Sequence, residues 1–134
     1  MVGWILASLA LLFVQSLLPA AIRYASNGRP LAANFTDALG ARDVPLPTVP
    51  RAERASRALA NLLESLPIFL TLALLVLVLG ADGTLARLGA TVFVIARVLY
   101  VPCYVLGVFA LRSVVWMAGG VGLLLLLAAV LPFA

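Results

Sequence analysis

Residues 113–134 run for 22 positions without one charged side chain, and residues 1–22 do the same at the other end. No other feature limits the chain so tightly. In water such runs would have to be buried on every side, whereas a bilayer accepts a helix of ~20 apolar residues directly. Two more apolar runs lie between them. One opens in RASRALANLLESLPIF (54–69) and ends at GADG (80–83), a turn signal; the other, 84–109, is interrupted only by Arg87 and Arg97. Hydrophobic residues make up 65% of the 134, and the mean hydropathy is +1.20, more than a soluble domain of this size covers with polar surface. The fold expected is an all-α membrane protein, a single domain over 1–134. Its four transmembrane helices lie near 2–24, 53–80, 84–109 and 112–132.

A signal peptide has a basic start and a short apolar stretch of roughly 7–15 residues. Residues 1–22 lack the first and exceed the second, so a retained span is expected there. Between the first two spans, at about 25–52, the chain turns polar and holds VPLPTVP (44–50), which cannot be a helix interior. It reads as a long connection outside the bilayer. Arg23, Arg29, Arg42, Arg51, Arg54 and Arg57 lie in or beside this first loop and Arg112 at the third, against only Arg87 at the second. That asymmetry places loops one and three in the cytoplasm, with both termini and loop two outside.

The net charge of +4 comes from nine arginines and no lysine. These are too dispersed among apolar runs for a nucleic-acid surface, and no nucleic-acid partner is expected. Arg, Ala, Leu and Val in place of Lys and Ile suggest a GC-rich bacterial source, hence a bacterial inner membrane. With no histidine and one cysteine, Cys103, histidine metal sites, Ser-His-Asp triads and intrachain disulfides are excluded, and no metal is expected. Cys103, beside Pro102 in an apolar span, reads as a small core residue. GGVG (119–122) marks close helix packing.

The polar residues of the spans are fewer and more telling. Arg54, Arg57, Asn61 and Glu64 are spaced i, i+3, i+7 and i+10, which gathers them within about one quarter of the helix circumference. Snorkelling explains Arg54 and Arg57 but not Glu64, which lies deeper; a charge at mid-span costs about 2.5–3.5 kcal/mol and normally has a partner. In ARVLYVPCYVLG (96–107), Arg97, Tyr100 and Tyr104 again share one face, and Arg97 is near the middle of its span. A Glu64–Arg97 ion pair is the simplest resolution. Spacing leaves two readings equally open: a structural salt bridge between two helices, or a polar ligand site. Arg112, Ser113 and Trp116 in LRSVVW (111–116) taken alone read as an interfacial belt.

Together these residues resemble the signature of the MAPEG family, the membrane-associated proteins in eicosanoid and glutathione metabolism. The matching positions are Glu53-Arg54, Arg57-Ala58, Asn61, Glu64, Pro67 and Phe69 in the second span. Arg97 followed by Tyr104 matches in the third span and Arg112-Ser113 at the fourth, with Arg23 set against the family's helix-one arginine. Ala60 stands where several members have another arginine, and Trp116 where some have a tyrosine. The resemblance implies a homotrimer of four-helix bundles in contact with membrane lipids, binding glutathione as co-substrate between subunits near the cytoplasmic face. It assigns Arg23, Arg54, Arg57, Asn61, Glu64, Arg97, Tyr100 and Tyr104 to binding. It assigns Arg112 and Ser113 to the thiol, whose thiolate attacks a lipophilic small-molecule electrophile. The function so implied is glutathione S-transferase or peroxidase; the alternative is a non-catalytic accessory or lipid-binding subunit whose polar stripe is structural.

Overall fold

A computed structural model describes residues 1–28, 39 and 49–133. Four long helices carry the chain: α1 (Val2–Ser26), α2 (Pro50–Val78), α3 (Thr84–Leu106) and α4 (Phe109–Val130), followed by a 3-10 turn, Leu131–Phe133. All four contain windows of mean hydropathy between 1.8 and 2.5 with the length to cross a bilayer. The expected connection at about 25–52, with Arg29 and Arg42, falls largely outside the described residues.

The helix ends follow from local chemistry. Pro50 opens α2 at its first turn, where a missing N–H costs nothing, so the helix starts three residues before the expected 53. Gly80 and Gly107 adopt φ of 66° and 78°. After each, a reversed pair of bonds closes the helix: Ala81 N–H donates to Val76 O at 2.9 Å, and Val108 N–H to Cys103 O at 2.9 Å. The third span therefore ends at Leu106 rather than 109, and the released Phe109 begins α4 ahead of the expected 112. Several hydroxyls inside the spans bond back to their own helices, as Thr71 Oγ1 to Pro67 O and Thr91 Oγ1 to Arg87 O, both 2.8 Å, which keeps those protons paired without water.

Helices α3 and α4 pack most closely, and α1 lies mainly on α2. Because lipid is as apolar as leucine, burial does not drive this pairing, and close contact must. Gly89 and Gly122 provide it: a Cβ on Gly89 would stand 2.8 Å from the Gly122 carbonyl. Phe69 and Phe93 stack across α2 and α3 at 4.5 Å with rings 8° from parallel. Around them Leu62, Leu66, Val76, Ala90 and Leu126 form the core, while Phe13, Val78, Leu106 and Leu124 present apolar surface outward. Cys103 is buried in a smaller cluster with Ala58, Ala96, Tyr100 and Val115.

Up-and-down connectivity puts the end of α1, the start of α2, the end of α3 and the start of α4 at one rim. The other rim carries fewer charges among the described residues, and they pair with one another. There Asp82 holds Arg87 Nε at 3.3 Å and the amino terminus at 3.4 Å, and the Arg87 guanidinium beside it keeps the Asp82 carboxyl below its usual value. All other described arginines except the buried Arg97 belong to the first rim.

Candidate functional site

At the arginine-rich rim two cavities adjoin. The first, about 280 Å³, is lined by Arg54, Arg57, Tyr104, Gly107 and Arg112. Three guanidinium groups and a phenol meet there and no carboxylate is among the described residues that line it, so its chemistry is that of an anion site: guanidinium forks match carboxylates. The second, about 450 Å³, is lined by Tyr100, Tyr104, Arg112, Ser113, Trp116 and Met117. It pairs an apolar wall of Trp116 and Met117 with the Ser113 hydroxyl and Arg112. Tyr104 and Arg112 border both cavities, with the Arg112 guanidinium 5.0 Å from the centre of the Tyr104 ring.

Local folding positions each group. The turn at Gly107 lets α2 approach the end of α3: Arg54 Nη1 donates to Val105 O at 3.4 Å, and a Cβ on Gly107 would lie 2.8 Å from that same nitrogen. Gly107→Ala is accordingly expected to cost about 1–2 kcal/mol for its left-handed backbone and to push Arg54 out of the first cavity. Thermal unfolding in detergent checks the first effect, and a loss of affinity for small carboxylates the second.

Behind the cavities lies Arg97, 4% exposed. Its Nη1 donates to Asn61 Oδ1 at 2.6 Å, and its guanidinium carbon stands 5.2 Å from the Phe93 ring centre and 5.9 Å from that of Tyr100. Gly119 makes the room: a Cβ there would meet Arg97 Nη2 at 3.4 Å.

The MAPEG family model matches residues 1–132, nearly the whole chain. The chain belongs to the MAPEG family. Searches of curated proteins and of solved structures return no match. Family membership and four spanning helices make it an integral membrane protein of a glutathione-related family.

For a MAPEG chain the site residues read from the sequence divide into three groups. Arg54, Arg57, Tyr100, Tyr104, Arg112 and Ser113 line the cavities. Asn61 and Arg97 join each other behind them. Glu64 and Arg23 line neither. Glu64 is exposed on α2, and Arg23 is half-buried at the end of α1 with a buried Nε that makes no hydrogen bond. The expected Glu64–Arg97 ion pair is not formed among the described residues. Asn61, three residues nearer the rim, is rotated about 60° from Glu64 around the helix; its Oδ1 takes the arginine while Glu64 turns outward.

Gly107 and Met117 were not legible as site residues. A glycine after a tyrosine-bearing helix signals a helix end, but that the turn would seat Arg54 depends on a partner 53 positions away. Met117 lies within the charge-free run 113–134, and nothing in the sequence sets it apart from its apolar neighbours.

Proposed function

We propose that this MAPEG-family protein binds glutathione and conjugates it, or reduces peroxides with it, using lipophilic electrophiles drawn from the bilayer. The observation that carries the reading is the sharing of Tyr104 and Arg112 between an arginine-lined cavity and a half-apolar groove. A tripeptide anion held by Arg54 and Arg57 would bring its thiol toward Arg112 and Ser113. A guanidinium beside a thiol lowers its pKa from ~8.5 and yields the nucleophilic thiolate, and the Ser113 hydroxyl can donate a hydrogen bond to the sulfur. The thiolate then forms a C–S bond as the electrophile's leaving group departs with its electron pair. Trp116 and Met117 give that electrophile an apolar surface.

The working unit in this reading is a homotrimer with loops one and three in the cytoplasm of a bacterial inner membrane. Exposure of Glu64 on a single chain supports association, because a carboxylate left at membrane depth costs about 2.5–3.5 kcal/mol. A neighbouring subunit, or the ligand's ammonium bound beside it, removes that cost. A non-catalytic accessory subunit is the second reading, favoured by the Asn61–Arg97 bond, which occupies two of the family's polar positions with each other.

Thermal-shift titration of the detergent-solubilised protein with glutathione and with S-hexylglutathione tests the choice. Stabilisation by both, with a thiolate absorbance for glutathione alone, is the expected result. Stabilisation without thiolate favours the accessory subunit, and crosslinking that stops at dimers removes the trimer.

A further inference from the structure

We propose that Arg97 is a positioning residue. It locks the Asn61 side-chain amide with its NH2 turned out, so that the site meets its ligand there as a hydrogen-bond donor. The ligand atom taken at that point is a carbonyl or carboxylate oxygen. The ligand's identity rests on the glutathione reading; the lock does not.

The orientation follows from the chemistry of the pair. A guanidinium carries donors and no acceptor, so the Asn61 atom 2.6 Å from Arg97 Nη1 must be the oxygen. Arg97 cannot turn away. It is 4% exposed, bracketed by the Phe93 and Tyr100 rings, and closed in by Gly119. Neither Arg97 nor Asn61 borders either cavity, but Asn61 is half-buried one helical turn below the cavity-lining Arg57, so a ligand reaching past Arg57 meets Asn61 before the buried Arg97. Asn61 is half-buried, and its NH2 has no partner among the described residues. Arg54 and Arg57 precede it by seven and four positions, on the same quarter of α2. The locked amide extends a row of donors down the helix, and Glu64, three positions further, is the first acceptor. Such a row selects an extended ligand with oxygens along most of its length and a cationic group at its deeper end. Were the amide free to turn over, the same position would accept as readily as donate, and the selection would be lost.

The test uses the full-length protein in nanodiscs with its three asparagines labelled on the side-chain nitrogen. The Asn61 NH2 signals are assigned by their loss in Asn61→Asp. Without ligand, Arg97→Met is expected to shift or broaden those signals, and Arg97→Lys, which keeps one donor, to restore them in part. With glutathione, the wild-type Asn61 NH2 signals should move. Asn61→Asp keeps an acceptor for Arg97 and should fold, yet bind glutathione at least about tenfold more weakly, having no donor to offer. Arg97→Met should also weaken binding while the thiol pKa of the bound fraction stays at its wild-type value. Ligand-free signals indifferent to Arg97→Met overturn the lock. Glutathione binding that leaves the Asn61 signals in place, or is equal in Asn61→Asp, overturns the donor role while the glutathione reading stands. If wild type binds no glutathione, that reading fails instead, and the ligand-free signals alone decide for or against the lock. Should Arg97→Met not fold, the comparison of wild type with Asn61→Asp still decides the donor role.

Discussion

Replacing Arg112 with alanine is expected to cut the saturated rate of glutathione conjugation about 10²-fold while glutathione affinity falls only modestly. Arg112 is the arginine common to both cavities, poised over Tyr104 at 5.0 Å. Arg54 and Arg57 remain to hold an anion in the variant, so ground-state binding survives. What is lost is the charge beside the sulfur, needed most when the thiolate forms. Deleting a donor aimed at developing negative charge typically costs 10²–10³ in rate, and its signature is a lowered kcat with little change in Kd. The thiolate absorbance of the glutathione complex should shrink at neutral pH, and the apparent thiol pKa should rise toward its free value of ~8.5. Arg112→Lys, which keeps a cation, should recover part of both. An unchanged rate and thiol pKa in Arg112→Ala would remove Arg112 from the chemistry, whatever the rest of the site does.

Gly122→Leu is expected to be the most damaging single change to the bundle. A Cβ on Gly122 would stand 2.7 Å from the Phe93 nitrogen and 2.8 Å from the Gly89 carbonyl, and a Cβ on Gly89 would lie 2.9 Å from the Leu126 nitrogen. Every obstructing atom named is backbone, so no rotamer change relieves the clash and α3 must move away from α4. Overpacking of a well-filled core costs about 1–3 kcal/mol for small additions, and an isobutyl group exceeds that. Separation of these helices also disturbs the arginine-rich rim, since α3 carries Tyr104 and α4 carries Arg112. Gly122→Ala should lower the unfolding temperature measurably and Gly122→Leu should abolish a folded, monodisperse species in detergent. Gly120→Ala is the control: nothing lies within 4 Å of a Cβ there, and alanine should leave stability unchanged or raise it slightly. Equal effects at 120 and 122 would mean that close approach of α3 and α4 is not what holds the bundle.

The glycine pair shows how far sequence reading reaches. GGVG announces that some helix comes close, because small residues in a span have few other uses. It does not say that Gly122 meets Gly89 while Gly120 faces open space; that depends on the rotation of α4 about its axis. The polar stripe of α2 behaves in the same way. Its spacing placed Arg54, Arg57, Asn61 and Glu64 on one quarter of the helix, and that placement is a property of the α-helix itself. Yet a quarter-turn is wide enough to straddle a boundary. Arg54 and Arg57 face the cavity, Asn61 bonds inward to Arg97, and Glu64 lies on the exposed edge. Charge complementarity suggests Glu64 for Arg97; the arginine instead bonds Asn61 Oδ1, the polar atom that α2 places within its reach.

Four spans, their order and the gathering of arginines at one rim were determined by the sequence alone. Hydropathy over ~20 residues and the alternation of direction from span to span require no knowledge of packing. The division of the site into an arginine cavity, a groove and a buried Asn61–Arg97 pair was decided only by tertiary structure. Those features depend on helix rotation and on the sharp turn at Gly107, and both are set by contacts between residues far apart in the chain. A shift of one residue in the register of α3 against α2 would leave every helix intact and give Arg97 a different partner.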